Sequence, residues 1–330
     1  MQYSCRYLEI STPNSLLQFN KIPPAAAFLT LSYMVCTIVL FVLRRFEYSK
    51  LVSSGSDVAF DSVYSPIMQM VPSEILNHPY SIVLSNLVDV NVWKISINTI
   101  NLVVGGSFIE RDWNSSAEIL KFTLLIGSVT NVIVVAVTLL SSLLIPGVKI
   151  DVPLDGNYTV LIGFPIVYKQ LFPETTIIRL KNLGFLSKNF RFKLLPIFIM
   201  STLTVGQLVF FHHFAQLLSI WITFFSCWIY LRFFQVLTST QNSDYMVGDA
   251  SDTFQLIYLF PDITKPLLRP IFDWIYNICS NKLRIIRPFE SGDIDKSNSV
   301  AEQRGAKKIV NPVEERRKQL ALQMLQERMV

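Results

Sequence analysis

Charge is scarce in this chain. Only 16% of its 330 residues are Asp, Glu, Lys or Arg, against about 25% in ordinary soluble domains. Glycine is sparse too, at 12 residues, and the histidines are limited to His78, His212 and His213. The first shortage argues against a soluble enzyme, whose surface needs more ionised groups, and the second excludes a collagen-like chain. Cys5, Cys36, Cys227 and Cys279 include no CxxC pair, and two of them lie in apolar runs. Neither a disulfide framework nor a zinc site is expected. The chain has no P-loop, GxGxxG or GxSxG string, and the adjacent His212-His213 lacks the i, i+4 spacing of helical metal ligands. The residues therefore point to no catalytic group, metal or cofactor.

What is abundant is apolar. Hydrophobic residues make up 51% of the chain and include 24 phenylalanines, and the mean hydropathy is +0.41. The net charge is +5, but the basic residues stand in short blocks between apolar runs. That pattern suggests membrane topology rather than nucleic acid. Six spans are expected, at about 24–43, 91–109, 122–145, 158–172, 194–211 and 215–237. The second carries Lys94, Asn98 and Asn101, a polar face suited to a bundle interior. The fourth is short and contains Gly163, Pro165 and Lys169. The last two come from one uncharged stretch, Leu194–Leu231, broken at Phe211-His212-His213.

The 169–193 loop holds six basic residues against Glu174 alone, which places it and both termini in the cytosol. Arg44-Arg45 runs against that scheme. Residues 1–23 form a cytosolic N-terminus, 24–240 a membrane domain and 241–279 a cytosolic interfacial segment. Residues 280–330 read as a flexible cytosolic tail with a terminal helix at 312–328, which is capped by Asn311 and suits a partner. Asn157-Tyr158-Thr159 is a glycosylation sequon on the opposite, lumenal side.

Four ordered strings carry a resemblance. Gly105-Gly106-Ser107-Phe108-Ile109-Glu110-Arg111-Asp112-Trp113 leads on to Glu118 and Lys121-Phe122. Gly163-Phe164 is followed by Lys169-Gln170-Leu171-Phe172-Pro173-Glu174. The third string is Trp228 to Gln235, with Tyr230 and Arg232. The fourth is Gly248-Asp249-Ala250-Ser251-Asp252-Thr253-Phe254. Together they resemble the transmembrane protein 115 family over about residues 20–285, with Asn114 in place of a family glycine; the chain looks like a fungal member. The resemblance implies an all-α, rhomboid-like six-helix membrane bundle in the Golgi. It also implies a role in Golgi-to-ER retrograde traffic. Its partners would be membrane lipids, Golgi tethering factors and transmembrane clients, with a homo-oligomer open.

Rhomboid proteases carry a serine on span four, a histidine on span six and His-x-x-x-Asn on span two. Here span four has no serine, span six has no histidine, and Lys94 stands where that His would lie, with Asn98 matching the Asn. The resemblance therefore implies a pseudoprotease. Alternatives from other classes are a derlin-like ER quality-control factor, a small transporter using Lys94, Lys169 and Arg232, and a protease pairing Ser201 or Ser219 with His212 or His213.

Overall fold

The computed structural model describes residues 22–55, 58–173, 192–238 and 245–306, with strand backbone at 2–4, 8–11, 176–180 and 190–191. Among the described residues five helices are long and apolar enough to cross a membrane: α1 (Pro24–Ser53), α2 (Val92–Trp113), α3 (Ser116–Leu144), α5 (Phe192–Phe211) and α6 (Phe214–Phe234). Between them lies the shorter α4 (Thr159–Leu171). Two further helices follow, α7 (Lys265–Asn277) and α8 (Ser291–Gln303).

Helix α1 shows why this is a membrane protein. Its buried face holds Ala25, Ala26, Leu29, Tyr33, Thr37, Leu40 and Arg44. Its exposed face is Phe28, Leu31, Val35, Ile38 and Val42. Over residues 24–43 the outward stripe is wholly apolar, the arrangement lipid selects. Pro24 starts the helix, where its missing N–H costs nothing. It continues ten residues beyond the expected end at residue 43, because nothing breaks it before Ser54 and the left-handed Gly55.

The short connections have local causes. Asn114 has φ 48° and ends α2, and Ser115 caps α3 by accepting from the Glu118 amide. Asparagine tolerates this left-handed position, which explains how it replaces glycine there. His212 adopts φ 52°, and the His213 side chain caps α6. The histidine pair is thus the turn and cap of a helical hairpin.

Helix α4 is the axis of the bundle, with every residue from Thr159 to Leu171 buried. Phe122 of α3 packs on Phe164 of α4, Tyr230 of α6 and Trp113 of α2. A Cβ on Gly163 would lie 2.8 Å from Phe122 Cζ and 3.0 Å from Cys227 Sγ, so glycine sets the closeness of three helices.

Two small antiparallel sheets add to the helices. β1 (Gln2–Ser4), β2 (Leu8–Ser11), β3 (Thr176–Leu180) and β4 (Phe190–Arg191) pair in that order. The segment before α1 is thereby joined to the α4–α5 connection. β5 (Val236–Thr238) and β6 (Tyr245–Val247) form a hairpin after α6.

The expectation of a flexible linker after residue 280 is corrected at residues 291–303. The polar run there folds as α8, with a Glu290/Asp293 capping box. The 312–328 helix and Glu174 lie outside the described residues.

Candidate functional site

Polar side chains gather at the two ends of the bundle. The loop end is built by the α1–α2 and α3–α4 connections. There Asp89 Oδ2 accepts from Tyr33 Oη at 2.8 Å, Asn98 Nδ2 at 2.6 Å and Asn157 Nδ2 at 3.1 Å. Lys94 pairs with Asp155. Gln216 Nε2 donates to both Asp155 Oδ2 and Tyr158 Oη at 2.5 Å. Burial and the neighbouring Asp155 push the Asp89 carboxyl up to about 6.

Lys94 and Asn98, read against a catalytic pattern, are therefore tied to carboxylates in a polar network. Among the described residues no serine hydroxyl is hydrogen-bonded to a histidine. His213 Nδ1 accepts the Gln216 amide, and the Ser219 hydroxyl is buried without a partner. Neither Ser201 nor Ser219 meets His212 or His213.

Two expectations change at this end. Asn157 is only 3% exposed and bonded to Asp89, so the folded protein has no room for a glycan there. Arg44, which ran against the charge rule, is 2% exposed. Its guanidinium donates to the carbonyls of Val63, Phe60 and Asp61. It clamps the first connection, while Arg45 beside it is exposed.

The four strings of the sequence meet at the other end, here termed the tail end. In the first, Glu110 is buried and accepts the Ala25 amide at 3.2 Å and the Ala26 amide at 2.7 Å. A carboxylate from α2 thus caps α1, satisfying two donors that a helix start leaves free. Gly105 admits Tyr168: a Cβ would stand 1.7 Å from its hydroxyl. Gly106 is in ordinary contact range of Ala26. Trp113 is 1% exposed against Phe122. Tyr230 Oη donates to Glu118 at 2.8 Å, joining the first string to the third.

The second, third and fourth strings interlock. Gln170 Nε2 donates to Gln235 Oε1 at 3.1 Å and to Asp249 Oδ2 at 3.0 Å. Arg232 Nη1 donates to the carbonyls of Asp249, at 2.5 Å, and Ser251, at 2.6 Å. Trp228 Nε1 donates to Phe254 O at 3.1 Å. Gly248, at φ +76°, needs its glycine doubly, since a Cβ would sit 2.3 Å from Arg232 O. The Ser251 amide donates to Asp249 Oδ1. Asp252 and Asn298 of α8 exchange two hydrogen bonds of 2.9 Å. Pro173 is buried beside this cluster in sequence.

Lys169 stands apart from this pairing. It is 4% exposed, and among the described residues its ammonium has no hydrogen-bond partner. Asp249, Lys193, Lys265 and Arg232 surround it electrostatically. Gln170 Oε1 and Gln235 Nε2 are also buried without partners. Sequence reasoning missed α8 here. The only signal was the polar run 290–298, which reads equally as linker.

Beyond the cluster, Phe260 packs on Phe224, about two helical turns below Arg232. Helix α7 then exposes Leu267, Ile271, Trp274 and Ile275, an apolar stripe suited to a lipid interface. Among the described residues no cluster of His, Cys, Asp and Glu could hold a metal ion.

No solved structure matches the chain. It is similar to the transmembrane protein 115 homolog of Saccharomyces cerevisiae, at 57% identity over 100% of this chain and 99% of that one. It is also similar to rhomboid-like protein 19 of Arabidopsis thaliana, at 27% identity over 65% of this chain and 66% of that one. Human transmembrane protein 115 is 23% identical over 74% of this chain and 65% of that one. The family described as eukaryotic integral membrane protein (DUF1751) matches residues 27–330, so the match takes in the tail that the sequence motifs left out. On that match and the full-length yeast relative, this chain belongs to the eukaryotic integral membrane protein family DUF1751, with the transmembrane protein 115 proteins, as a multi-pass helical protein of the rhomboid-like class.

Proposed function

We propose that this protein is a non-catalytic, rhomboid-like scaffold of the Golgi membrane that serves Golgi-to-ER retrograde traffic. The observation that carries the absence of catalysis is α4. Where a rhomboid protease needs a serine, α4 presents Gly163-Phe164-Pro165 in closed packing. The facing polar groups Lys94, Asn98 and Gln216 are bonded to carboxylates, and among the described residues no serine hydroxyl is bonded to a histidine, which supports this reading. In this reading the protein is a platform of six membrane helices, counting the short α4, with its tail end in the cytosol. That orientation rests on the basic 169–193 connection. Peripheral tethering factors would engage the tail, and the bundle would take transmembrane clients.

The test is retention of an ER-resident protein that normally returns from the Golgi. Cells lacking this chain are expected to leak that resident. Both the wild-type chain and a variant with His212 and His213 replaced by Ala are expected to restore retention. Normal retention in the deletion, or failure of the double variant alone, would remove this reading. An ER location of the chain with normal Golgi retrieval would instead favour a quality-control role.

A further inference from the structure

The tail end contains a narrow gap lined by Lys169, Gln170, Asp249, Ser251, Ser297 and Arg304. Three of the polar atoms in and behind it are buried and unpaired: Lys169 Nζ, Gln170 Oε1 and Gln235 Nε2. A buried ammonium without an acceptor is costly, and an acceptor oxygen from outside the chain would relieve that cost. Among the described residues none hydrogen-bonds the Lys169 ammonium; Asp249 lies near and offsets the charge in part, without a bond to Nζ. The Phe254 ring stands 5.9 Å from Nζ, too weak a partner to offset a buried charge.

Lys169 and Arg304 line the gap with Asp249, and Lys193, Lys265 and Arg232 lie within electrostatic reach of Lys169. At the mouth, Arg304 spends one side of its guanidinium on Asp112 at 3.1 Å, and its planar fork has donors left for a second acceptor. The mouth belongs to the same end of the molecule as α7, whose Leu267, Ile271 and Trp274 are exposed. Lys265, the first residue of α7, is one of the charges acting on Lys169. A ligand there meets a cationic gap and an apolar, interface-seeking helix together.

We infer that the gap between α4, the 248–254 segment and α8 is an anion site. It takes a phosphate monoester of a membrane lipid headgroup, with one oxygen reaching Lys169 Nζ and the rest held at the mouth by Arg304. The arrangement makes two demands on the ligand. It must carry a compact, strongly charged acceptor, because the gap is narrow, and it must lie at the membrane surface. A phosphoinositide headgroup meets both. The inference does not rest on the trafficking role, and a chain that supports normal retrieval while binding no phosphate loses this site only.

The experiment uses the full chain in phosphatidylcholine nanodiscs. Thermal unfolding is followed while a short-chain phosphatidylinositol monophosphate, short-chain phosphatidylserine or inorganic phosphate is added. The monophosphate is expected to raise Tm in a saturable, salt-sensitive way. Lys169→Met is expected to weaken that response at least about tenfold, the scale of one lost charge-assisted bond. Arg304→Gln, on the surface helix end, is expected to weaken it about threefold to tenfold. Lys169→Met without ligand should melt no lower than the wild type, since it removes an unpaired buried charge. If Lys169→Met fails to fold, Arg304→Gln carries the test. No response to any anion, or an equal response in both variants, overturns the site. Equal stabilisation by inorganic phosphate overturns the lipid source, and equal stabilisation by phosphatidylserine overturns the requirement for a monoester.

Discussion

Glu110 and Ala26 are 84 residues apart, yet the carboxylate of one accepts the backbone amide of the other at 2.7 Å. The end of α2 thereby holds the start of α1, and Ser116 adds a third donor to the same carboxylate. Glu110→Ala would leave the amides of Ala25 and Ala26 buried without acceptors. A loss of about 2–3 kcal/mol is expected, from two unmet donors in a dry environment. The Tm of the detergent-solubilised chain measures it, and Glu110→Gln, which keeps an acceptor oxygen, should lose less. A wild-type Tm for the alanine variant would refute the capping role.

Gly105 faces Tyr168 with no room for a methyl group. Gly105→Ala is expected to cost about 1–3 kcal/mol through overpacking between α2 and α4. Tyr168→Phe in the same chain removes the atom at 1.7 Å and leaves the ring carbon at 2.9 Å, so the rescue should be partial. A fully additive double variant would show that the two positions do not touch.

Asp89 gives the stability a pH signature. Its carboxyl titrates at about 6 in the fold, against a usual value of 3.8. Between those values the folded chain holds a proton that the unfolded chain releases. This group's stabilisation is therefore complete below pH 3.8 and is lost as pH rises through about 6. The full swing is about 3 kcal/mol, from a shift of roughly two units. Asp89→Asn lacks the titration. The Tm difference, wild type minus variant, should fall from pH 4 to about 6.5 and then stay level. A difference that rises over this range contradicts the assignment.

The docking of α8 hangs on few contacts, with Asn298 meeting Asp252 twice and Ser297 accepting the Ala250 amide. Asn298→Ala should weaken that docking by about 1–2 kcal/mol. Hydrogen exchange over residues 291–303 should then quicken by roughly tenfold, while amides of α4 and α6 keep their protection. Unchanged exchange would show that α8 is held by other contacts.

The long helices were legible because lipid imposes a local demand, an unbroken apolar run, which a sequence displays directly. The four strings were legible as strings, but their meeting was not. That Glu110 caps α1, or that Gln170 bridges Gln235 and Asp249, depends on helix ends brought together from far along the chain. Arg44 shows the limit from the other side. A charge beside an apolar run reads as a topology signal, and only the fold reveals three carbonyls around it. Asn157 is similar: a sequon records three residue types but not the buried carboxylate beside them. The run 291–303 lacks an apolar face, so its helix was invisible to periodicity.

The short, fully enclosed α4 also constrains biogenesis. Thirteen residues rise about 20 Å, well short of a 30 Å hydrocarbon layer, and they carry Lys169 and Pro165. Such a segment gains little by entering lipid alone. It becomes stable only when α2, α3, α5 and α6 have closed around it, and two of those emerge from the ribosome after it does. The centre of the fold therefore gains its full packing only after α5 and α6, the last two membrane helices in chain order, are in place.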